Sequence, residues 1–336
     1  MGDATAAGPP AIFLTHPPQA RALYYGERAL AGLRELGEVR LNPSDRVLAP
    51  DELAEAARGC RVIVSDRQTA GPAALFAQAD DALVAFLRCA VDIRNVDVAA
   101  ASAKGVLVTH ATPGFIAAVA EMAVGYMVDL GRRITASTEA YRAGGTPAIA
   151  MGRQLSGSTL GIVGYGAIGR YLARLGVALG MRVLVTDPHQ RVEDLALTQL
   201  EFAALLQQAD FVVCLAVANA ETENLFDAAA FARMRSDAVF LNLSRGNLVD
   251  EAALLAALDS GGIAGAALDV GRAPDQMPSP ALARHPKVIA TPHIAGLTPP
   301  AIEHQAMETV AQVREILAGR VPPGAVNAAH WQRGRP

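Results

Sequence analysis

The chain has 336 residues, 51% of them hydrophobic and 18% charged, which is enough for about two domains with sizeable cores. A formal net charge of −4 offers no basic surface for nucleic acid, so we expect no nucleic-acid partner. The absence of an apolar run of 18 residues and of a signal-peptide pattern argues against a membrane partner. Cys60, Cys89 and Cys214 lie in apolar segments, which predicts buried, reduced thiols in a cytoplasmic protein.

The first part of the chain alternates strand-like and helix-like segments. After a loose tail of residues 1–9, residues 11–14 predict a strand, residues 20–36 a helix and residues 61–64 a second strand. Such alternation is typical of a parallel sheet with helices packed on its faces.

Residues 160–169 predict a dinucleotide-binding turn. A short apolar strand runs into the spacing Gly-x-Gly-x-x-Gly, and a helix-like segment, 170–180, follows. The first glycine permits a tight turn, the second lets the backbone approach a pyrophosphate, and the third lets the helix pack on the strand. The helix N-terminus then meets the phosphates. The predicted cofactor-binding residues of this turn are Gly164, Tyr165, Gly166, Ala167, Ile168 and Gly169.

Asp187 is predicted to select the cofactor. It ends the next strand, residues 182–186, and lies 18 residues after Gly169. A carboxylate there favours hydrogen bonds to ribose hydroxyls and would repel a 2′-phosphate, so we expect NAD in preference to NADP. Two features oppose this interpretation: Asp187 could cap a helix instead, and Arg191 lies nearby in sequence.

Four further strand ends carry candidate site residues. Residues 211–217 end near Ala218, residues 238–243 at Ser244 and Arg245, residues 265–268 at Asp269, and residues 288–290 shortly before His293. Ligands of a doubly wound parallel sheet bind outside the carboxyl ends of the strands. We therefore expect Arg245 and His293 to converge on one crevice.

These segments resemble the D-isomer-specific 2-hydroxyacid dehydrogenases. The closest matches are residues 161–169, 242–251, 265–270 and 291–296, with fainter ones at 94–98, 105–108, 112–114 and 119–121. The resemblance spans roughly residues 60–327. It implies two doubly wound parallel-sheet α/β domains with the substrate cleft between them. One is a flavodoxin-like substrate-binding domain of residues 1–108 and 299–336, and the other is an inserted Rossmann NAD-binding domain of residues 109–298.

The resemblance also implies an activity and a set of roles. The protein would be an NAD-dependent oxidoreductase that transfers hydride between nicotinamide and a small 2-hydroxy or 2-oxo acid, with D specificity and no metal. His293 suits general acid–base work because imidazole changes charge near neutral pH. Arg245 suits the substrate carboxylate because its donors form a fork. Ala218, Ser244 and Asp269 are the remaining predicted cofactor contacts, although Asp269 could simply cap its strand.

The resemblance extends to substrate recognition and assembly. Loops 65–69 and 90–93 match substrate-binding loops of relatives, so Arg67 is either a contact for a second anionic group or a solvated side chain. Relatives form homodimers, and the small and apolar segment 115–127 loosely supports the same assembly here.

The sequence departs from the family pattern just after Asp269. Relatives carry a glutamate that pairs with the catalytic histidine, whereas Ala273 stands at its place and one residue is missing. Asp275, Gln276 or nothing takes over the role. Residues 215–218 also lack the histidine and proline that relatives carry there. Two alternatives therefore stay open, namely a relative that uses bound NAD for a non-redox reaction and a binding protein that senses NAD.

Overall fold

A computed structural model describes residues 9–334, so residues 1–8 of the predicted tail lie outside the described part. The chain forms two compact units. Unit 1 comprises the chain up to Gly114 and from Thr298 onward, and unit 2 comprises Phe115–Leu297. The boundaries expected from the sequence lay at residues 108/109 and 298/299.

Each unit is built on its own parallel sheet, and every pair of neighbouring strands runs in parallel. The strands of the described chain are β1 Ala11–Leu14, β2 Glu38–Leu41, β3 Val62–Ser65, β4 Ala85–Arg88, β5 Leu107–His110, β6 Thr159–Val163, β7 Arg182–Thr186, β8 Leu197–Gln199, β9 Phe211–Cys214, β10 Val239–Asn242, β11 Gly265–Leu268 and β12 Val288–Ala290. The α-helices are α1 Pro18–Tyr24, α2 Glu27–Arg34, α3 Pro50–Ala56, α4 Ala73–Gln78, α5 Val98–Ala103, α6 Ile116–Arg132, α7 Ile134–Arg142, α8 Ala167–Ala178, α9 Phe202–Gln208, α10 Ala228–Arg233, α11 Glu251–Asp259, α12 Pro280–Ala283 and α13 Pro299–Leu317.

The sheet of unit 1 has the order β2-β1-β3-β4-β5, which is the flavodoxin-like arrangement. Alternate residues of its strands enter two apolar layers, so Ile12 packs with one face and Phe13 with the other. Trp331, only 1% exposed, belongs to the first layer, and its indole N–H donates to the Val84 carbonyl at 3.1 Å. The segment after α13 therefore packs into the core of this unit.

The single helix predicted for residues 20–36 is wrong, because two helices occupy that stretch. The chain turns between α1 and α2 at Gly26, whose φ of 82° is a left-handed conformation that favours glycine. The preceding Tyr25 is buried against the ring of His16, with 5.0 Å between ring centroids. The apolar periodicity of the stretch hid this turn.

The sheet of unit 2 has the order β12-β11-β10-β9-β6-β7-β8. The strand order changes direction at β6, which has β7 on one side and β9 on the other, as in a Rossmann domain. Two apolar layers cover its faces, and in one of them the ring of Phe240 is tilted against that of Phe226, with 4.6 Å between the ring centroids. The predicted architecture of two doubly wound parallel sheets is confirmed.

Within residues 9–334, no helix combines the length and apolar character needed to cross a bilayer. The three cysteines are free and buried, as their sequence context predicts.

Candidate active site

Steric contacts fix the glycine-rich turn after β6. Gly164 has a φ of 102°, and a Cβ atom built on it would lie 2.6 Å from the backbone nitrogen of Ala216. A Cβ on Gly169 would lie 2.2 Å from the carbonyl oxygen of Gly164. Gly166 differs, because no atom beyond its two chain neighbours lies within 4 Å of its Cβ position. It is the N-cap residue of α8, and no side chain caps that helix. Open space at an uncapped helix N-terminus fits the pyrophosphate of a dinucleotide.

Asp187 ties the end of β7 to this turn. Its Oδ2 accepts the backbone N–H of Tyr165 at 2.7 Å, and its Oδ1 accepts those of His189 and Gln190 at 2.8 and 3.0 Å. A carboxylate has about four acceptor positions. About one position is thus left for a ribose hydroxyl, which is compatible with the predicted role.

Tyr165 donates its backbone N–H to Asp187. The side chain of Tyr165 is buried, and the guanidinium carbon of Arg170 lies 4.7 Å from the centroid of its ring. These contacts stabilise the turn itself. Ala167 and Ile168 begin α8, and Ile168 packs against an apolar layer. Cofactor contacts by these three residues stay a prediction.

The ends of β9 and β10 are joined by hydrogen bonds. Ser244 Oγ donates to the carbonyl of Ala216 at 2.5 Å, and Ala218 is half-buried against an apolar layer. Asn242, 1% exposed, donates through Nδ2 to the carbonyl of Arg245 at 2.9 Å and accepts through Oδ1 from the backbone N–H of Ser244 at 3.1 Å. Asn242 therefore positions Arg245, a role that the sequence analysis did not assign to it.

Arg245 is half-buried directly after this bridge, and its Nη1 donates to the Ser244 carbonyl at 2.8 Å. The next residue, Gly246, lies against the loop that follows β11. A Cβ on Gly246 would come within 2.0 Å of the Gly271 carbonyl oxygen. The backbone around Arg245 is thus held on both sides.

Asp269 follows β11 and is 1% exposed. Its Oδ1 accepts from Thr291 Oγ1 at 2.5 Å and from the backbone N–H of Ile294 at 2.8 Å, and its Oδ2 accepts from that of Ala295 at 2.8 Å. The Thr291 hydroxyl, having donated, accepts from the buried hydroxyl of Tyr126, and burial raises the pKa of that tyrosine. These contacts make Asp269 the residue that holds the turn after β12. Its contact with the nicotinamide stays a prediction.

His293 lies on that turn with a φ of 55°, and its backbone N–H donates to the Asp269 carbonyl at 2.9 Å. Its ring Nδ1 lies 3.1 Å from the backbone carbonyl oxygen of Asp275. A carbonyl oxygen can only accept, so Nδ1 carries the proton in this contact. Nε2 is then the acceptor of a neutral ring and a donor of a protonated ring, as a general acid–base requires.

The loop after β11 distinguishes Asp275 from Gln276 as the residue that takes the place of the missing glutamate beside His293. Asp275 meets His293 through its backbone carbonyl. The amide oxygen of Gln276 is buried and has no hydrogen-bond partner among residues 9–334, so it does not bond His293. The same part of the chain has no group of three or more metal-ligating side chains that could hold a metal ion.

In unit 1, a buried arginine organises the two loops that the sequence marks as substrate-binding. Arg88, 3% exposed, donates to the carbonyls of Asp66, Arg67 and Thr69 in the first loop and to that of Asp92 in the second. Burial lowers the pKa of Arg88 to about 10, so it stays charged at neutral pH. Its position at the end of an apolar strand was the only sequence signal for this role.

Arg67 is exposed on the first of these loops, with its guanidinium 5.7 Å from the centre of the Tyr24 ring. This contact orients the side chain at the surface of unit 1. Recognition of a second anionic group by Arg67 stays a prediction.

Comparison with known proteins assigns the family. The model of the NAD binding domain of D-isomer specific 2-hydroxyacid dehydrogenases matches residues 124–295, almost all of unit 2. The chain is 35% identical to (S)-sulfolactate dehydrogenase of Chromohalobacter salexigens over 82% of this chain and 91% of that protein. It is 33% identical to D-3-phosphoglycerate dehydrogenase of Synechocystis sp. over 74% of this chain, and the match covers 46% of that protein. The chain thus spans about half the length of several curated relatives.

Solved structures agree with the sequence comparisons. The crystal structure of the TT0316 protein from Thermus thermophilus is 29% identical, with a TM-score of 0.83 over 94% of this chain and 99% of that one. D-2-hydroxyisocaproate dehydrogenase, at 21% identity over 95% of this chain and 99% of that one, shares the fold with a TM-score of 0.84. The chain belongs to the D-isomer-specific 2-hydroxyacid dehydrogenase family, and unit 2 is its NAD-binding domain.

Proposed function

We propose that the protein is an NAD-dependent oxidoreductase that interconverts a small 2-hydroxy acid of D configuration and the corresponding 2-oxo acid. The observation that carries the proposal is the placement of Arg245 and His293. They follow β10 and β12, which flank β11, at the carboxyl edge of the sheet whose β6 turn fits a dinucleotide. Ligands of such sheets bind at this edge.

The chemistry follows from those two side chains. Bound NADH supplies the hydride for reduction of the 2-oxo carbon. Arg245 binds the substrate carboxylate with its forked donors and polarises the neighbouring carbonyl. His293 donates its Nε2 proton to the oxygen as the carbonyl becomes a hydroxyl, and it takes the proton back during oxidation.

The central experiment is a spectrophotometric assay of NADH oxidation with a panel of small 2-oxo acids. The reverse assay uses NAD⁺ with D-lactate, D-3-phosphoglycerate and (S)-sulfolactate, because the last two are substrates named for relatives. We expect turnover with at least one acid. NADH binding without turnover across the panel would favour a non-redox or sensing relative instead.

Arg245→Ala tests the assignment directly. The substitution removes the carboxylate-binding fork, so we expect turnover to fall by roughly a thousandfold while NADH binding persists. Arg284→Ala is the matched control, since Arg284 is an exposed arginine of the same unit outside the site. Near-normal activity of Arg245→Ala would contradict the proposed mechanism.

We also propose that the enzyme prefers NAD(H) to NADP(H). The Asp187 carboxylate stands at the end of β7 with room for about one more donor, and a 2′-phosphate there would meet like charge. Fluorescence titration should give the tighter dissociation constant for NADH, and Asp187→Ala should narrow the difference. Equal affinities in the wild type would rule this preference out.

We propose a homodimer that buries part of unit 2 around α7. No residue of α7 is buried, and farther along the chain Ile149 and Met151 are fully exposed, with relative accessibilities of 106% and 98%. Exposed large apolar side chains of this kind are typical of an interface when they lie together. In the segment 115–127, Val119, Ala123 and three other residues of α6 are buried inside unit 2, so only the remaining residues of the segment are available to a partner. Light scattering should give a dimer, and Ile149→Asp with Met151→Asp should give a monomer.

We propose a cytoplasmic location as well. All three cysteines are free and buried, and a reducing compartment maintains that state. Subcellular fractionation of the source cells would test it.

A further inference from the structure

We propose that the backbone carbonyl of Asp275 is the positioning group for His293, in the place that a glutamate side chain occupies in related enzymes. The inference rests on the proposed function of His293 as acid and base. It assigns the role to a main-chain atom, whereas the sequence directs attention to the side chains of Asp275 and Gln276.

The contact determines both the tautomer and the orientation of the ring. The carbonyl oxygen lies 3.1 Å from Nδ1 and can only accept, so it keeps the proton on Nδ1. Nε2 is then the ring nitrogen that remains to exchange a proton with the substrate. A bond of one ring nitrogen to a backbone carbonyl or a carboxylate commonly determines which of the two nitrogens of a histidine carries the proton. A carbonyl is neutral at every pH, so it orients the ring without adding a titrating charge.

Unusual backbone conformations with positive φ are concentrated at this contact. Five non-glycine residues of the described chain have positive φ, namely Arg133, Asn224, Asp275, Gln276 and His293. Three of these five form the contact or adjoin it. Such conformations are costly and persist where the surroundings over-determine them, commonly at functional sites. Asp275 and Gln276, with φ of 56° and 59°, orient the peptide planes of the loop, and so direct the Asp275 carbonyl at the ring.

The loop is closed by its own backbone. The Gly271 N–H donates to the Gln276 carbonyl at 2.8 Å, and the Ala273 N–H donates to the Met277 carbonyl at 3.0 Å. Gly271 leaves no space for a side chain, because a Cβ would lie 2.5 Å from the Cα of Pro278. These backbone hydrogen bonds close the loop into a compact turn that contains Asp275.

Arg272 fastens this loop to its neighbours in unit 2. Its Nε donates to the Val249 carbonyl at 3.1 Å, and its Nη2 donates to Glu223 Oε1 at 2.8 Å and to the Asn247 carbonyl at 3.0 Å. Its own backbone N–H donates to Glu251 Oε1 at 3.0 Å. The position of the Asp275 carbonyl is therefore maintained by the hydrogen bonds of Arg272 and of the loop backbone.

Three substitutions at Asp275 distinguish the effect of its backbone carbonyl on kcat from the effect of its carboxylate. Asn and Gly tolerate positive φ and keep the carbonyl, whereas both remove the carboxylate. Val keeps the carbonyl but disfavours positive φ because it is β-branched. We expect Asp275→Asn and Asp275→Gly to keep kcat within about threefold, and Asp275→Val to lower kcat roughly tenfold or more with little change in KM, as for other residues that orient a functional histidine. A tenfold loss of kcat in Asp275→Asn would overturn the proposal.

Nuclear magnetic resonance of ¹⁵N-histidine-labelled protein gives a test that needs no turnover. The His293 signal is assigned by comparison with His293→Gln. We expect the Nδ1–H tautomer at a pH where the ring is neutral, in the wild type and in Asp275→Gly. A neutral wild-type ring that carries its proton on Nε2 would overturn the proposal, even if Asp275→Val fails to fold. The Nδ1–H tautomer in a protein that reduces no 2-oxo acid would support the positioning contact while the proposed function fails.

Discussion

Two turns of unit 2 are held in place by different forces. The turn after β6 is held by steric contact, since a Cβ atom on Gly164 or Gly169 would lie 2.6 or 2.2 Å from backbone atoms. The loop after β11 is held by hydrogen bonds, chiefly those of Arg272, and contains two non-glycine residues in the left-handed region. A sterically fixed turn requires glycine at set positions and so leaves a pattern in the sequence. The loop after β11 also requires glycine at Gly271, but most of its hydrogen bonds end on backbone groups, which almost every residue possesses.

The largest effect should come from a methyl group added to the turn after β6. Gly169→Ala places Cβ against the Gly164 carbonyl, so the helix must move off the strand, at a cost of about 3 kcal/mol in the free energy of unfolding of unit 2. Gly166→Ala is the matched control, because open space surrounds its Cβ position. It should leave stability within about 1 kcal/mol of the wild type yet weaken NADH binding at least tenfold, on the order of 1.4 kcal/mol. Urea unfolding followed by circular dichroism, together with NADH titration, measures both quantities, and equal stability of the two variants would refute the steric account.

An intermediate effect should follow from Arg272→Met, which removes the donors that fasten the loop after β11. We expect a loss of about 1–2 kcal/mol in stability, because several partly exposed hydrogen bonds disappear. The value of kcat should fall severalfold as the Asp275 carbonyl loses its fixed position, while NADH affinity stays unchanged. Arg284→Met provides the control for removing a surface arginine. A parallel loss of NADH affinity would mean that the two turns are not independent.

The smallest effect is a pH dependence of stability at the contact between Arg272 of the loop after β11 and Glu223, which lies between β9 and α10. Hydrogen bonds from Asn247 and Arg272 hold the pKa of Glu223 below its ordinary value. A carboxyl group whose pKa is depressed in the folded state contributes stability that is complete above its unfolded pKa of about 4.3 and is lost as the pH falls through the folded value. The difference in unfolding free energy between wild type and Glu223→Gln should therefore shrink as the pH is lowered from 6 to 3. A difference that stays constant over this range would show that Glu223 contributes no charge-dependent stability to the loop.

The sequence predicted best those parts of the fold that burial or sterics determine. The strands β7, β11 and β12 have the predicted bounds, since each is a compact segment bounded by turn residues or Asp. The strand expected over 211–217 ends at Cys214 instead, and of the apolar residues after it Leu215 packs on an apolar layer whereas Val217 is 77% exposed. The edge strand β8 was not predicted, as Leu197–Gln199 is short and largely polar.

The candidate site was predictable to a similar degree. Gly169 and Asp187 lie where their spacing placed them, and Arg245 and His293 follow neighbouring strand ends. The partner of His293 could not be predicted, because a backbone carbonyl has no signature among side chains. The role of Arg88 was not predicted for a related reason, since the backbone carbonyls that it binds leave no pattern in the sequence.

Trp331 makes the two units optically separable. It is the one tryptophan of the chain, and its indole is buried in the core of unit 1. Tryptophan emission should therefore shift to longer wavelength when unit 1 unfolds and stay unchanged when unit 2 unfolds alone. The fluorescence of bound NADH reports on unit 2. One sample can thus follow the melting of each unit in its own spectral window, without any label.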